Sequence, residues 1–438
     1  MRTSVRTPRY TLRPFACVLA LCCGLIQGLD AQASTPRTFS LADAAALVRL
    51  KHPLLTAAGG RRQSATGAAR QEAALPNPTL EWRKENLNSP LARDEFVTAG
   101  LPVDLYGRRF ALRSASVLTA SRALADSSST SRLVEFDVAR AYWRTALAFA
   151  VHDAALAQRL TVDTIARIET ERARQGAVPE GAALRARLEA DRARLSEAYA
   201  AAELQRARGD LARALAIPYD SVPRPSDPLR VELADTLPSQ ESLIAMAHQR
   251  RPELQAARFR AEEAQQRQLA ERLGTLPALG VQAGSKRTAG YQTGTVAIGI
   301  TIPLFDRNGG NRERARGDVL IASGDLRAAE TAVDADVIAT ARAYRTLRDV
   351  FDRAAGTGVP AETMRDLDRR GSAVASIAAT AYREGAIPLF ELLDAERVRA
   401  DVRVAALRAA ADVQMARLDL LRAIGLPIDS AHFIPSSH

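Results

Sequence analysis

The chain has 438 residues, of which 47% are hydrophobic and only 5% aromatic, and its formal net charge is +10. So few aromatic side chains favour thin helix–helix packing over one thick core. A basic chain suggests nucleic-acid binding, but the arginines alternate with acidic residues along helical segments, as in Glu189–Arg194. That alternation is typical of solvated helix faces, so no nucleic-acid partner is predicted.

The first 33 residues have the pattern of an export signal. Four arginines, the last of them Arg13, precede an apolar run from Phe15 to Ile26, and Ala31-Gln-Ala33 is a small-residue cleavage motif. The apolar run is too short to span a bilayer as a stable helix. We therefore predict cleavage between Ala33 and Ser34 and export of the mature chain.

All three cysteines lie inside this segment, at Cys17, Cys22 and Cys23. The mature chain is therefore expected to have no disulfide and no thiolate metal site. Lipid modification of Cys22 is an alternative to simple cleavage. It is disfavoured because Leu21, just before this cysteine, is bulkier than such sites usually accept.

Short motifs recur along the chain at a slowly increasing offset. Pro53 has its counterpart 199 residues later at Pro252, and Gly176 has its counterpart 209 residues later at Gly385. An offset that drifts without reversing indicates a duplication with small insertions. The predicted organisation is a signal peptide over 1–33, a first repeat over 34–218, a Pro-rich linker over 219–238, a second repeat over 239–427 and a tail over 428–438.

Each repeat is predicted to have the same order of elements. A helical region begins at an N-cap serine, Ser40 or Ser239, and two strands, a long helix and a returning helix follow. The long helices would measure about 100 Å if continuous. The Gly356–Pro360 segment should break or kink the second one. The predicted helices cover 40–74, 108–175, 180–216, 239–273, 307–384 and 388–424, and the strands cover 78–88, 95–105, 278–287 and 292–303.

A Gly–Ala–(Val/Ile)–Pro turn joins each long helix to the helix that returns. Glycine permits the positive φ at which one helix ends, and proline presets φ where the next begins. Helices joined so tightly must fold back as an αα-hairpin. The two turns consist of Gly176, Ala177, Val178 and Pro179, and of Gly385, Ala386, Ile387 and Pro388.

The last predicted strand alternates large apolar residues with small ones, which predicts one face in apolar surroundings. Its large residues are the best candidates for contact with lipid: Val296, Ile298, Ile300 and Ile302. Four strands of this length cannot close a membrane barrel alone, and open strand edges cannot face lipid. Either three chains pool their strands in a trimer, or the chain is a soluble helical scaffold without a pore.

Three motifs, together with the signal peptide and the duplication, resemble the TolC family of outer-membrane efflux channels. They are Leu75–Glu81 before the first strand, Leu101–Gly107 after the second, and Leu392–Ala395 near the second turn. The first two are most similar to the CzcC/CusC-like branch, which is associated with heavy-metal efflux. The implied fold is mainly α with a small β part. Its long αα-hairpins form a trimeric periplasmic helical barrel, and four strands per chain form a shared 12-stranded outer-membrane β-barrel.

The resemblance implies a passive exit channel of a tripartite RND-type pump. Heavy-metal cations are the expected cargo, with drugs or secreted polypeptides as the alternatives. The implied partners are two further copies of the chain, a periplasmic adaptor (membrane fusion) protein, an inner-membrane RND transporter and outer-membrane lipid. No cofactor, no resident metal and no enzymatic activity are expected.

Two carboxylates near the second turn, Glu391 and Asp394, are three residues apart and therefore share one helix face. The resemblance implies that they line the closed periplasmic aperture. Threefold symmetry would arrange them as acidic rings, which favour cations, and repulsion within the rings would raise some of their pKa values. The alternative is a solvated pair in which Asp394 bonds to Arg397.

The family's archetype also holds its closed state by a polar latch between hairpins. Tyr382 matches the latch tyrosine, but Ile387 and Ala182 stand where an arginine and an aspartate are found. Apolar packing of Val178 and Ile387 is therefore expected to close the channel instead. The resemblance assigns the two Gly–Ala–x–Pro turns to adaptor docking, although turn chemistry alone explains them. Two strand aromatics, Trp82 and Tyr291, are candidate membrane-interface anchors or ordinary packing residues.

Overall fold

The structure is a computed structural model that describes residues 39–88, 93–229, 237–353 and 363–430. The predicted cleavage site at Ala33 and Ser34 and the Gly356–Pro360 segment lie outside the described residues. Thirteen elements are named below in chain order. They are α1 Leu41–Lys51, α2 Pro53–Ala73, β1 Thr79–Glu85, β2 Asp94–Val103, α3 Arg108–Arg174, α4 Glu180–Leu215, α5 Gln240–Arg250, α6 Pro252–Leu273, β3 Ala278–Thr288, β4 Tyr291–Thr301, α7 Gly309–Arg353, α8 Thr363–Arg383 and α9 Leu389–Ala423.

The regions predicted as single helices over 40–74 and 239–273 are each divided into two helices. The backbone is extended at His52 and at Arg251, directly before Pro53 and Pro252. A proline ring clashes with a helical residue before it, so the helix ends there and a new one begins at the proline. The predicted N-caps are confirmed, since Ser40 forms a full capping box with Asp43 and the Ser239 side chain accepts from the Ser242 amide.

The two long helices differ. α3 runs without interruption for 67 residues. Its counterpart was predicted over 307–384, but α7 ends at Arg353 and α8 begins at Thr363. The predicted αα-hairpins are confirmed, as α3 packs on α4 and α8 packs on α9.

Both hairpin turns have the predicted backbone geometry. Gly176 and Gly385 have φ values of 73° and 77°. The amide after each glycine bonds back to the last helical turn, at 2.8 Å from Ala177 N to Arg172 O and at 2.8 Å from Ala386 N to Ala381 O. This pattern satisfies carbonyl groups that a helix end leaves unpaired.

The junction from β2 to α3 is organised by one carboxylate. Asp104 accepts hydrogen bonds from four backbone amides, the shortest being 2.6 Å from Arg109 N to Oδ2. Desolvation opposes ionisation of Asp104, but these four bonds outweigh it and lower the pKa of the carboxyl group. The junction motif thus begins the long helix in place of an ordinary cap at Gly107.

The main apolar core lies where α1, α3, α4, α5, α7 and α9 meet. Its centre includes Tyr142, whose side chain is fully buried and lies edge-on to Trp143. The Tyr142 hydroxyl donates to Phe39 O at 2.9 Å and accepts from the amides of Ser226 and Asp227 at 3.2 and 3.1 Å. One phenol therefore ties the start of the described chain and the Pro-rich linker to α3.

Replacing Tyr142 with phenylalanine should lower the free energy of unfolding by about 1–3 kcal/mol. The ring would still fill its site, but the Asp227 amide would lose its partner, and Ser226 N and Phe39 O would keep only their bond to each other at 3.0 Å. Thermal unfolding followed by circular dichroism measures this effect. Tyr199→Phe on α4 is the control, because Tyr199 is 75% exposed; equal destabilisation by the two changes would contradict the role of the Tyr142 hydroxyl.

The four strands form one antiparallel sheet in the order β1-β2-β3-β4. The register aligns Leu80 with Ala99, Ala99 with Ala283, and Ala283 with Val296. Residues in register lie on the same face, and alternate residues along a strand do so too. The chemistry of the two faces can therefore be read directly from the pairing.

Candidate functional site

One face of the sheet is apolar over three strand-to-strand rows. On β4 it presents Val296, Ile298 and Ile300, which are 76%, 67% and 61% exposed, and Ile302 continues the alternation just beyond the strand at 62% exposed. Large exposed apolar patches mark interaction surfaces. The same face on the other strands consists of Leu80, Trp82, Val97, Ala99, Leu101, Val103, Leu279, Val281 and Ala283.

The opposite face of the sheet is made of polar, charged and small residues. At its hairpin end Asp94 pairs with Lys286 at 3.0 Å, and Phe96 lies under Arg83 and Lys286 at 4.8 and 5.1 Å from its ring centre. Further along this face lie Glu81, Thr98, Gly280, Gln282, Gly284, Thr293, Thr295, Ala297, Gly299 and Thr301. An apolar face opposed to a polar one is the alternation found in strands that separate lipid from water.

Both edges of the sheet are open among the described residues. β1 pairs only with β2, and β4 pairs only with β3. A row of unpaired amides and carbonyls on an edge strand is a template for pairing with another chain. The sheet therefore has two complementary edges available to neighbouring copies.

The two candidate anchor aromatics lie on different faces. Trp82 belongs to the apolar face, where its indole nitrogen donates to Glu95 Oε1 at 2.7 Å. Tyr291 pairs with Thr288 at the start of β4. It is an odd number of residues from Val296, so it lies on the opposite face of the sheet, which is the polar one. Of the two aromatics, Trp82 therefore remains the candidate for a membrane-interface anchor.

The two hairpin tips pack against each other through an apolar cluster. Leu389 and Leu392 at the start of α9 are buried against residues of α3 and α4: Val162, Ala166, Ala186, Ala190 and Ala193. Ala182, which replaces the family's aspartate, packs against this cluster. Val178 and Ile387 do not belong to this cluster, because both lie in the turns beyond the packed helices. Their expected role in closing the assembled channel stays a prediction.

A polar contact links the two hairpins beside this cluster. Arg172 Nη1 on α3 donates to the Tyr382 hydroxyl on α8 at 2.9 Å and lies 3.1 Å from Glu169 Oε1. The Glu169 side chain is only 1% exposed, whereas the Arg172 side chain is 42% exposed. We call these three residues the tip triad. Burial of the phenol, reinforced by the Glu169 carboxylate, raises the pKa of Tyr382 to about 12, so the hydroxyl stays protonated near neutral pH.

A second cross-link lies about three helical turns further from the tip along α3. Glu396 on α9 is buried and pairs with Arg399 at 2.8 Å, and Arg399 Nη2 donates to Gln158 on α3 at 3.0 Å. The tip triad and this contact border a groove of about 670 Å³ between the hairpins, to which Glu169, Tyr382 and Glu396 contribute side chains. The hairpins are therefore joined by hydrogen bonds as well as by apolar packing.

The two predicted gate carboxylates have different surroundings within one chain. Glu391 is exposed in the first turn of α9, where its charge complements the helix dipole. Asp394 pairs with Arg397 on its own helix, as the solvated alternative predicted, and lines a small groove against Arg185 and Glu189 of α4. Both carboxylates lie beside the tips. Neither one takes part in the contacts described above that link the two hairpins of one chain.

No helix in the described ranges is long and apolar enough to cross a membrane. No group of three or more His, Cys, Asp or Glu side chains in the described part of the chain is arranged to hold a metal ion.

A family model described as "Outer membrane efflux protein" matches residues 243–426. This stretch of the chain belongs to the outer membrane efflux protein family. The chain's match to the cobalt-zinc-cadmium resistance protein CzcC of Cupriavidus metallidurans has 26% identity over 381 residues, which is 85% of this chain and 86% of that protein. The chain thus aligns with a metal-resistance protein over most of both predicted repeats.

Solved structures of outer-membrane channels share the fold. VceC of Vibrio cholerae superimposes with a TM-score of 0.71 at 18% identity, covering 89% of this chain and 97% of that one. CusC gives a TM-score of 0.71 at 18% identity, with coverage of 89% and 93%. The expected fold class, a mainly helical chain with a small β part of four strands, is therefore confirmed. The family model and the CzcC match, taken with this fold, make the protein an outer-membrane efflux channel that extends into the periplasm.

Proposed function

We propose that this channel is a homotrimeric exit duct for heavy-metal cations in a tripartite RND-type pump. The observation that carries the proposal is the sheet, which has one apolar face, one polar face and two open edges. Three copies of four strands, joined β4 to β1, give a closed barrel of twelve strands without free edges. The polar face then lines a water-filled lumen, and the apolar face contacts lipid.

The long helical hairpins continue the duct into the periplasm. The tips at Gly176–Pro179 and Gly385–Pro388 are the part of the chain furthest from the sheet along the helices, which suits them to docking a periplasmic adaptor. Opening then requires the α8–α9 hairpin to move relative to α3, and this breaks the contacts of the tip triad. Transport is diffusion, and the inner-membrane transporter supplies the energy.

Glu391 and Asp394 would form acidic rings at the tip of the trimer. Six carboxylates around one axis attract cations and exclude anions at a narrow point. Asp394 is partly neutralised by Arg397, so Glu391 carries more of the selectivity. Metal cations are preferred as cargo over drugs or polypeptides because the relative CzcC is a cobalt-zinc-cadmium resistance protein.

Replacing both Glu391 and Asp394 with alanine should enlarge the conductance of the closed channel and remove its cation preference. Repulsion within the rings and their attraction for cations would both disappear. Single-channel recording in planar bilayers measures both quantities. Glu180→Ala is the control, because Glu180 begins α4 much as the gate carboxylates begin α9.

If the double variant conducts with unchanged selectivity, the protein is a channel but Glu391 and Asp394 do not form its gate. A protein that does not enter bilayers and behaves as a soluble monomer would reject the duct itself. Cargo is tested separately, since deletion of the gene should reduce tolerance to cobalt, zinc or cadmium. Reduced tolerance to drugs alone would contradict metal export.

A further inference from the structure

The row of side chains nearest the hairpin ends on the apolar face is charged. The register places Lys84, Glu95 and Arg287 next to one another on β1, β2 and β3. The adjacent row, toward the helices, contains Trp82 and Val97, and only apolar or small residues follow. The apolar face thus ends in a row of two cations and one carboxylate, which we call the rim row.

The carboxylate of the rim row is already engaged. Glu95 Oε1 accepts from Trp82 Nε1 at 2.7 Å and lies 3.7 Å from Lys84 Nζ. The same ammonium group lies 4.8 Å from the centre of the Trp82 ring. Glu95 therefore holds the indole and the ammonium in place, and half of the positive charge of the row remains uncompensated.

Arg287 supplies that remaining charge. Its side chain is exposed, and it attracts Glu95 only from a longer distance, without forming an ion pair with a described carboxylate. Lys84 and Arg287 stand on either side of the β2 strand, two strand spacings or about 10 Å apart along the sheet. A ligand bound by both cations must therefore be anionic and lie across the outer surface of the sheet.

Lys286, the neighbour of Arg287 on β3, is a cation that has partners in this sheet. It points to the polar face, where it pairs with Asp94 at 3.0 Å and lies over Phe96. Arg287 has neither kind of contact on its own face among the described residues. The two cations are neighbours on one strand. Their different contacts therefore reflect the different faces of the sheet on which they lie.

We propose that Lys84 and Arg287 bind a phosphate of a lipid headgroup in the outer leaflet, with Trp82 at the boundary between headgroup and acyl chains. The proposal rests on the proposed function, which places the apolar face in lipid and the hairpin ends outside. The apolar rows next to the rim row accept the acyl chains, and cations beside a bilayer attract anionic headgroups. Threefold symmetry gives three such sites around the barrel.

The test is native mass spectrometry of the full-length trimer in nanodiscs that contain lipid A with two phosphates or the same lipid after phosphate removal. Wild type should retain the diphosphorylated lipid about thirtyfold better, since the two cations contribute about 1 kcal/mol each. The Lys84→Gln/Arg287→Gln variant should lose this preference. Lys286→Gln is the matched control and should keep it.

Equal retention of both lipids by wild type, or an unchanged preference in the double variant, would overturn the proposal. Displacement of the lipid by millimolar inorganic phosphate would also overturn it, because it would show a simple anion site. If the double variant does not assemble, the difference in retention of the two lipids by wild type still tests whether the phosphates are bound. A chain that conducts but ignores lipid phosphate rejects only this site, whereas a chain that never enters the bilayer rejects the duct.

Discussion

Replacing Ile298 with arginine should abolish assembly of the protein in the outer membrane. Ile298 lies in the middle of the apolar face of β4 and is 67% exposed. An arginine facing lipid at the middle of the bilayer costs about 2–4 kcal/mol in a β-barrel. Threefold symmetry imposes this cost three times, about 6–12 kcal/mol per trimer, which is as large as the stability of a typical domain. The amount of heat-resistant trimer in outer-membrane fractions measures the effect.

The neighbouring residue provides the control. Ala297 is next to Ile298 on the same strand but belongs to the polar face. Ala297→Arg adds the same side chain and should assemble normally, while it changes the conductance by placing a cation in the lumen. If Ile298→Arg assembled as well as Ala297→Arg, the assignment of the apolar face to lipid would be wrong.

Replacing Arg172 with alanine should open the closed channel. The change removes the hydrogen bond to Tyr382 across the hairpins and leaves the buried Glu169 without its ion pair. Hydrogen bonds to charged groups contribute about 1.5–3 kcal/mol each, and three copies act together. Resting conductance in planar bilayers should therefore rise about tenfold or more, and cells should admit a large antibiotic that the closed channel excludes.

Two companion variants separate the link between hairpins from loss of charge. Arg174→Ala is the control, because Arg174 lies two residues away and pairs with Glu171 on its own helix at 2.6 Å. It should leave the resting conductance unchanged. Tyr382→Phe should have a smaller effect in the same direction as Arg172→Ala, because it removes the acceptor but keeps the Arg172–Glu169 pair. Equal opening by Arg174→Ala would show that the tip triad is not the latch.

The Tyr382 phenol itself gives little pH dependence near neutrality. Its pKa is raised to about 12 in the fold, so the neutral form is the one that the folded state favours. The stabilisation is fully present below the unfolded pKa of about 10 and is lost only as pH rises from there through 12. A resting conductance that changed between pH 6 and 8 in wild type but not in Tyr382→Phe would contradict the raised pKa of Tyr382.

Much of the fold could be predicted because it depends on local rules. Period-two alternation at Val296–Ile302 predicted the strand and its apolar face, and the glycine and proline of each turn predicted the hairpins. The break before Pro53 followed from an equally local rule, the restriction on a residue that precedes proline. It was missed because helical periodicity continues across the break and hides it.

The tip triad could not be predicted in the same way. Tyr382 was identified from the resemblance, but its partner Arg172 is 210 residues distant and does not occupy a position of the family's latch. A weak local signal was present, since Glu169 continues the spacing of Val162 and Ala166 and so places a carboxylate in an apolar stripe. Such a residue needs a partner, yet only tertiary structure shows which one.

The open edges at β1 and β4 have a consequence for the cell before assembly. A lone subunit of the proposed trimer would display two unpaired strand edges beside an apolar sheet, the combination that promotes aggregation. We therefore expect newly exported subunits to need chaperones until the ring closes. The same edges make a defective copy dominant. If half of the subunits carried a damaged edge and mixed freely, only about one ring in eight would contain no defective member. A mutation that damages either edge should therefore have a dominant-negative effect on the wild-type protein in the same cell.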